Sequence, residues 1–172
     1  MSYEGKGEIP EGGLFDTVES WDVACRYADG VTLRFMSDRV AKDVPGLMDD
    51  PRKRPFLDHG TTFWGEGGWI SVSRGFLYAS PKELQKTQIR DDERHVIRSS
   101  SQGRNFVESI RTRRPTINPL ETAIRSDTIS HLSDIAIRLG REVRWDPAKE
   151  KIVDDKEASR RLNRPMRKPW TL

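Results

Sequence analysis

Three histidines, His59, His95 and His131, lie far apart in the sequence. Only His131 has acidic company at helical spacing, with Asp127 four residues before it and Asp134 three after, so the three can share one side of a helix. A carboxylate beside an imidazole suits a general base, or a metal-dependent hydrolase site completed by ligands from elsewhere. The same spacing describes an ordinary polar helix edge, because such pairs are common on solvated faces. HExxH, CxxC and GxSxG are absent. Arginines form a second concentration, with Arg104, Arg111, Arg113 and Arg114 in one segment and Arg160, Arg161, Arg164, Arg167 and Lys168 in another. Guanidinium groups could hold phosphate or carboxylate in bidentate fashion. Asp154, Asp155 and Glu157 offer the second group local ion pairs instead.

Gly65-Glu66-Gly67-Gly68 and Gly5-Lys6-Gly7 are the glycine clusters that a phosphate turn would need. Both lead into strand-like or loop-like sequence, without a following helix N-terminus whose N–H groups could hold a pyrophosphate. They read as strand connections. Trp21, Trp64, Trp69, Trp145 and Trp170 could stack on a sugar ring, and such residues also serve as packing anchors.

The elements that must position these residues come from a chain of 172 residues, enough for one domain with a core. The single Cys25 has no partner for an internal disulfide. Thirty Lys and Arg stand against 27 Asp and Glu, a balance that gives a nucleic-acid role little support. No apolar run approaches the roughly 18 residues of a membrane span, and MSYEGKGEIPEGG lacks the basic and apolar regions of a signal peptide.

The first third has the period-two alternation of strands. Trp21, Val23, Cys25 and Tyr27 recur on one side of Asp29-Gly30, and Val31, Leu33 and Phe35 on the return, which predicts a hairpin over 20–37. With a two-residue loop, Ala28 opposes Val31, Ala24 opposes Phe35 and Cys25 opposes Arg34. Trp21, Val23, Cys25 and Tyr27 then line one face, and Ala24, Ala28, Val31, Leu33 and Phe35 the other. Two apolar faces require cover on both sides, by helices on one and by another sheet, domain or subunit on the other.

Residues 41–59 read as a long surface loop, and a second hairpin follows, Thr61 to Gly65 and Trp69 to Arg74. Phe76 to Ala79 adds a strand, and Ser80-Pro81 opens a brief helix, Pro81 to Lys86. After an exposed polar run, 88–101, the period changes to 3.6. It predicts a helix over 103–113 and a longer one over 119–139, with Pro119 in its first turn, Gly140 as C-cap and one stripe from Leu120 to Leu139 facing the core. Val143 and Trp145 form an extended piece, Asp154 to Leu162 a last helix, and Met166 and Trp170 dock an extended basic tail.

Five ordered segments carry a resemblance: GLFDTVESWDVACRYADGV (13–31), GTTFWGEGGWISVSRG (60–75), NFVESIRTRRP (105–115), ETAIRSDTISHLSDIAIRLGREVRWDP (121–147) and RPMRKPW (164–170). Together they resemble the C-terminal domain of bacterial Gfo/Idh/MocA-type oxidoreductases. The resemblance covers nearly the whole chain outside 41–59 and 86–101. It implies an α+β domain, an open, mainly antiparallel sheet with helices packed on one face, whose other face commonly makes subunit contacts. It also implies a parent with an N-terminal Rossmann domain that binds NAD or NADP, and reversible hydride transfer to a sugar, inositol or related polyol.

The family's Glu-Lys-Pro segment has no counterpart here, and its Gly-x-His-x-x-Asp-like segment would fall upstream of Tyr3 to Ile9. No catalytic residue, cofactor contact or metal ligand is therefore carried over. Arg104, Arg125, Asp127 and His131 match helical segments of the family and are the candidate substrate-binding residues. Residues 1–172 are expected to form a single domain, the incomplete C-terminal substrate and oligomerisation domain of a cytoplasmic homo-oligomer, inactive without its Rossmann domain, with neither nucleic acid nor membrane as partner. The alternative is a non-enzymatic carbohydrate- or protein-binding module built on the sheet and its tryptophans.

Overall fold

In a computed structural model of the chain, residues 1–44, 59–163 and 166–170 are described, and the fold is α+β with open antiparallel sheets of five and three strands. The chain divides into two compact units, Met1–Asp49 with Thr128–Leu172, and Asp50–Asp127. Most of the loop expected over 41–59 lies outside the described residues.

In the first unit, strands β1 (Ser2–Glu8), β2 (Ser20–Arg26), β3 (Thr32–Met36), β7 (Val143–Asp146) and β8 (Lys151–Ile152) lie in the order β3-β2-β1-β7-β8. The first strand of the chain is thus the central one. Its outer neighbour β7 arrives more than a hundred residues later, pairing Tyr3 with Val143, and Met1 and Trp145 exchange backbone hydrogen bonds of 2.9 and 3.0 Å beside it.

The β2–β3 hairpin forms where alternation predicts it, but in a different register. Cys25 pairs with Leu33 and Val23 with Phe35, not Cys25 with Arg34. The loop has three residues, Ala28-Asp29-Gly30, closed by Tyr27 N–H donating to the Val31 carbonyl at 2.9 Å, with Gly30 at φ 89°. A type I turn followed by a left-handed glycine is the usual three-residue solution, and the extra residue shifts every cross-strand partner by one. Trp21, Val23, Cys25, Leu33 and Phe35 therefore share one apolar face. Asp22, Ala24, Arg26, Thr32, Arg34 and Met36 share a largely polar one. The expectation of two apolar faces is corrected, and the hairpin by itself demands only one cover.

That cover comes from helices. α3 (Leu120–Leu139) begins one residue after Pro119 and ends at Gly140, whose φ of 63° and N–H bond to the Ala136 carbonyl at 2.9 Å make it the expected cap. Leu132, Ile135 and Ala136, with Ala158 of α4 (Lys156–Arg160), are buried in one cluster with Tyr3, Val23, Cys25, Val143 and Ile152. Complete burial of a side chain such as Val23 or Leu132 contributes about 1.5–3 kcal/mol. The expected core stripe is only half right, because Leu120 and Ile124 in the N-terminal turns are exposed.

Gly5 and Gly7 owe their place to this packing. A Cβ on Gly5 would stand 2.6 Å from Val23 Cα, and one on Gly7 2.7 Å from the Ser20 carbonyl and 3.2 Å from Ile137 Cδ1. A short helix absent from the sequence reading, α1 (Asp38–Lys42), is capped by Ser37. The tail is not docked as expected, since Met166 and Trp170 are both exposed.

The second unit holds the meander of β4 (Thr61–Gly65), β5 (Gly68–Ser73) and β6 (Phe76–Ser80), then a 3₁₀ turn, Lys82–Lys86, that replaces the expected helix from Pro81. Gly65 pairs with Gly68, so the glycine cluster makes a tight hairpin. α2 (Gln102–Thr112) starts at Ser101, whose hydroxyl accepts from Arg104 N–H at 3.3 Å, and ends in a left-handed Arg113. Asn105 ties the segment after α2 to the helix, its side-chain oxygen accepting from Ile117 N–H at 2.9 Å.

Two glycine substitutions should act with opposite sign. Gly5→Ala forces a methyl into backbone and should lower stability by about 1–3 kcal/mol. Gly103→Ala, in α2 with open space around it, should raise stability by about 0.4–1 kcal/mol. Urea unfolding of the two variants beside the parent measures both.

Candidate functional site

The four candidate substrate residues occupy the two long helices. Arg104 sits in the first turn of α2 with an exposed side chain. Arg125 lies on α3 and donates from Nε and Nη2 to Glu121 Oε1 at 3.1 and 2.8 Å, an exposed i,i+4 pair. Asp127 and His131 are one turn apart on α3, whereas Arg125 projects from nearly the opposite side at about 100° per residue. The helix thus gathers Asp127 with His131 and sets Arg125 apart.

Asp134, the third member of the possible acid-imidazole group, is engaged elsewhere. Arg138 Nε donates to both of its carboxylate oxygens, at 3.0 and 2.8 Å. Among the described residues no three His, Cys, Asp or Glu side chains converge as a metal site would require.

A second constellation escaped the sequence reading, the polar face of the five-stranded sheet. Arg34 clasps Asp22 with two hydrogen bonds, Nε to Oδ1 at 2.9 Å and Nη2 to Oδ2 at 2.8 Å. Arg26 donates to Glu4 at 3.0 Å. The Asp22–Arg34 pair and Glu4 line an open groove of ≈ 520 Å³, with Lys6, Thr32 and Arg141 among its other walls. The Arg34 hydrogen bonds hold the Asp22 carboxyl below its ordinary range against the opposing effect of burial, and Asp22 raises Arg34 in return. Arg141 is shared between Asp155 and Glu157, which depresses Asp155. The signal was present as period-two charge in Glu4, Lys6 and Glu8, but it became legible only with the three-residue loop.

The three-stranded sheet carries an aromatic face. Trp64 lies directly opposite Trp69, and Phe76 and Tyr78 occupy the same side of the next strand, with ring centroids 6.4 Å apart. Thr62 and Ser71 hydroxyls on that face are hydrogen-bonded at 2.8 Å. Neither glycine cluster fits a dinucleotide, because Gly5 and Gly7 are interior to β1 and Gly65–Gly68 closes a hairpin without a helix N-terminus behind it.

Among comparisons with known proteins, a family model described as "Oxidoreductase family, C-terminal alpha/beta domain", of the Gfo/Idh/MocA group, matches residues 57–172. No curated protein matches the chain. No solved structure matches it either. Among the described residues, no helix is long and apolar enough to cross a membrane.

The Asp22–Arg34 clasp yields a pH prediction. Because the folded-state pKa of Asp22 is lowered, its contribution is fully present above the unfolded value of about 3.9 and disappears as pH falls through the folded value. Asp22→Asn should cost up to about 1 kcal/mol at neutral pH, and its stability should converge on that of the parent once the pH falls below the lowered folded-state value. Denaturant titrations at the two pH values check this.

Proposed function

The chain belongs to the Gfo/Idh/MocA oxidoreductase family, as its C-terminal alpha/beta domain, and from that premise we propose that it forms the substrate side of an NAD- or NADP-dependent oxidoreductase acting on a sugar, inositol or related polyol. The observation that carries this reading is the match across residues 57–172, from before the β4 hairpin to the tail. In this reading residues 1–172 act as one substrate and oligomerisation domain. A Rossmann domain supplies the nicotinamide, since the glycine turns described here are built for strand packing and hairpin closure. Arg104, Arg125, Asp127 and His131 are the substrate-side contacts, hydroxyl-rich ligands being met by charged donors and acceptors. The charged face of the five-stranded sheet, with its paired cations and anions, makes subunit contacts in a homo-oligomer.

A second reading has one observation in its favour, the aromatic face of Trp64, Trp69, Phe76 and Tyr78 flanked by hydroxyls, which suits a carbohydrate-binding module without catalysis.

Nicotinamide absorbance with a panel of polyols separates the two. The chain joined to its nucleotide-binding domain should reduce NAD⁺ or NADP⁺ in a polyol-dependent way, and the 172-residue chain alone should not. Arg104→Ala should raise KM for the polyol roughly tenfold with kcat little changed, the pattern of a lost charge-assisted contact. Polyol or glycan binding that is indifferent to nucleotide, with no turnover by the joined protein, would favour the module instead.

A further inference from the structure

The β1–β2 loop, residues 9–19, holds an adjacent pair of apolar side chains out of the core. It turns through Gly12 and Gly13, at φ 92° and 99°, and Leu14 and Phe15 beyond them have 96% and 79% of their surfaces exposed. A single exposed apolar residue needs no explanation, but a neighbouring Leu-Phe pair on a fastened loop does. The fastening is at two places. Glu19 N–H closes the base of the loop on the Glu8 carbonyl at 2.9 Å. Arg138 of α3 donates from Nη2 to the Asp16 carbonyl at 2.7 Å and from Nη1 to Asp16 Oδ2 at 3.3 Å.

The second tether fixes where along α3 the loop stands. Nε of the same Arg138 donates to both carboxylate oxygens of Asp134, so one guanidinium joins Asp134 to the residue that follows Phe15. Helical side chains lean toward the N-terminus of their helix, and Arg138 accordingly reaches back one turn. Asp134 lies three residues from His131, about 4.5 Å along the axis and on the same side of the helix. The apolar pair is thus anchored about one helical turn from an exposed imidazole. The loop, Arg138, Asp134 and His131 all belong to the first compact unit.

Charge narrows what can rest there. Residues 8–19 contain Glu8, Glu11, Asp16 and Glu19 and neither Lys nor Arg. Such a loop repels phosphate and carboxylate groups, while the exposed Glu11 can accept hydrogen bonds from hydroxyls. A neutral sugar or cyclitol ring suits both properties, since its hydroxyls meet the acid and the imidazole while its C–H face covers an aromatic ring. We propose that Leu14 and Phe15 form an apolar wall of the substrate site, with Phe15 against the C–H face of an uncharged ring whose hydroxyl His131 holds. Phe15 then selects rings over open chains, and Arg138 is the positioning residue that sets the wall. This proposal rests on the reading of the chain as the substrate side of a polyol oxidoreductase.

Steady-state kinetics of the chain joined to its nucleotide-binding domain tests it. Glucose, galactose and myo-inositol are the ring substrates, sorbitol and galactitol the open chains, and glucose 6-phosphate the charged ring. Phe15→Ala should lower the ring-over-open-chain ratio of kcat/KM roughly tenfold, a change of about 1.4 kcal/mol, with KM for the nicotinamide cofactor unchanged. Phe15→Tyr keeps an aromatic face and should keep the parent ratio. Arg138→Lys cannot hold Asp134 and Asp16 together and should shift the ratio in the same direction as Phe15→Ala. Glucose 6-phosphate should be a poorer substrate than glucose. Circular dichroism confirms that the substitutions leave the fold intact. Polyol turnover with an unaltered ratio in Phe15→Ala, equal losses on rings and open chains, or a preference for the phosphate ester would each overturn the wall and leave the oxidoreductase reading standing. A joined protein that turns over no polyol would overturn that reading, and the wall with it.

Discussion

The pairing of Cys25 with Leu33 decides which side of the five-stranded sheet excludes water. Strand side chains alternate, so one register assigns every residue of β2 and β3, and through them those of β1 and β7, to the dry or the wet side. With this register the dry side collects Tyr3, Val23, Cys25, Val143 and Ile152 beneath the C-terminal half of α3 and Ala158 of α4. Gly5 and Gly7 then become intelligible. They lie on the dry side of a central strand, where backbone and neighbouring side chains already occupy the space a methyl would need. Burial also pushes the pKa values of the Tyr3 hydroxyl and the Cys25 thiol upward, desolvation being the first cause for both, which keeps the two groups neutral inside the core.

The wet side shows the opposite chemistry in the same strands. Charges alternate across neighbouring strands, Glu4 with Arg26 and Asp22 with Arg34, so the face is polar yet close to neutral in sum. Such a surface is soluble by itself and can still meet a partner of matching pattern, because paired surface charges contribute more to register and specificity than to affinity. The subunit role proposed for this face therefore rests on electrostatic fit and not on exposed apolar area.

Element identity was largely readable from the residues. Pro119 and Gly140 bracket α3, and the alternation in 20–37 marks a hairpin. What alternation could not reveal was the loop length. Asp29-Gly30 fits a two-residue turn as well as the last two positions of a three-residue turn, since both need a positive φ at glycine, and the one-residue difference inverts the face assignment. The charged groove was invisible for the same reason. Leu120 and Ile124 belong to the helical period yet remain exposed, and Met166 and Trp170 are apolar without being docked, because periodicity reports which residues could be buried and not which find cover. Of the candidate site, the sequence spacing placed Asp127 and His131 together on α3, and the same four-residue spacing joins Asp134 to Arg138, a competing pairing that the acid-imidazole reading left unweighed.

The central place of β1 bears on how the chain is made. Its partner β2 follows after the eleven residues of 9–19, but its other edge waits for β7, more than a hundred residues further on. A nascent chain therefore carries β1 with one edge unpaired while the more than one hundred residues between it and β7 are made, with donors and acceptors open to unintended strand pairing. The nascent chain should lean on chaperones until Val143 emerges, and folding should be slow for a protein of this size, because the decisive closure joins segments far apart along the backbone.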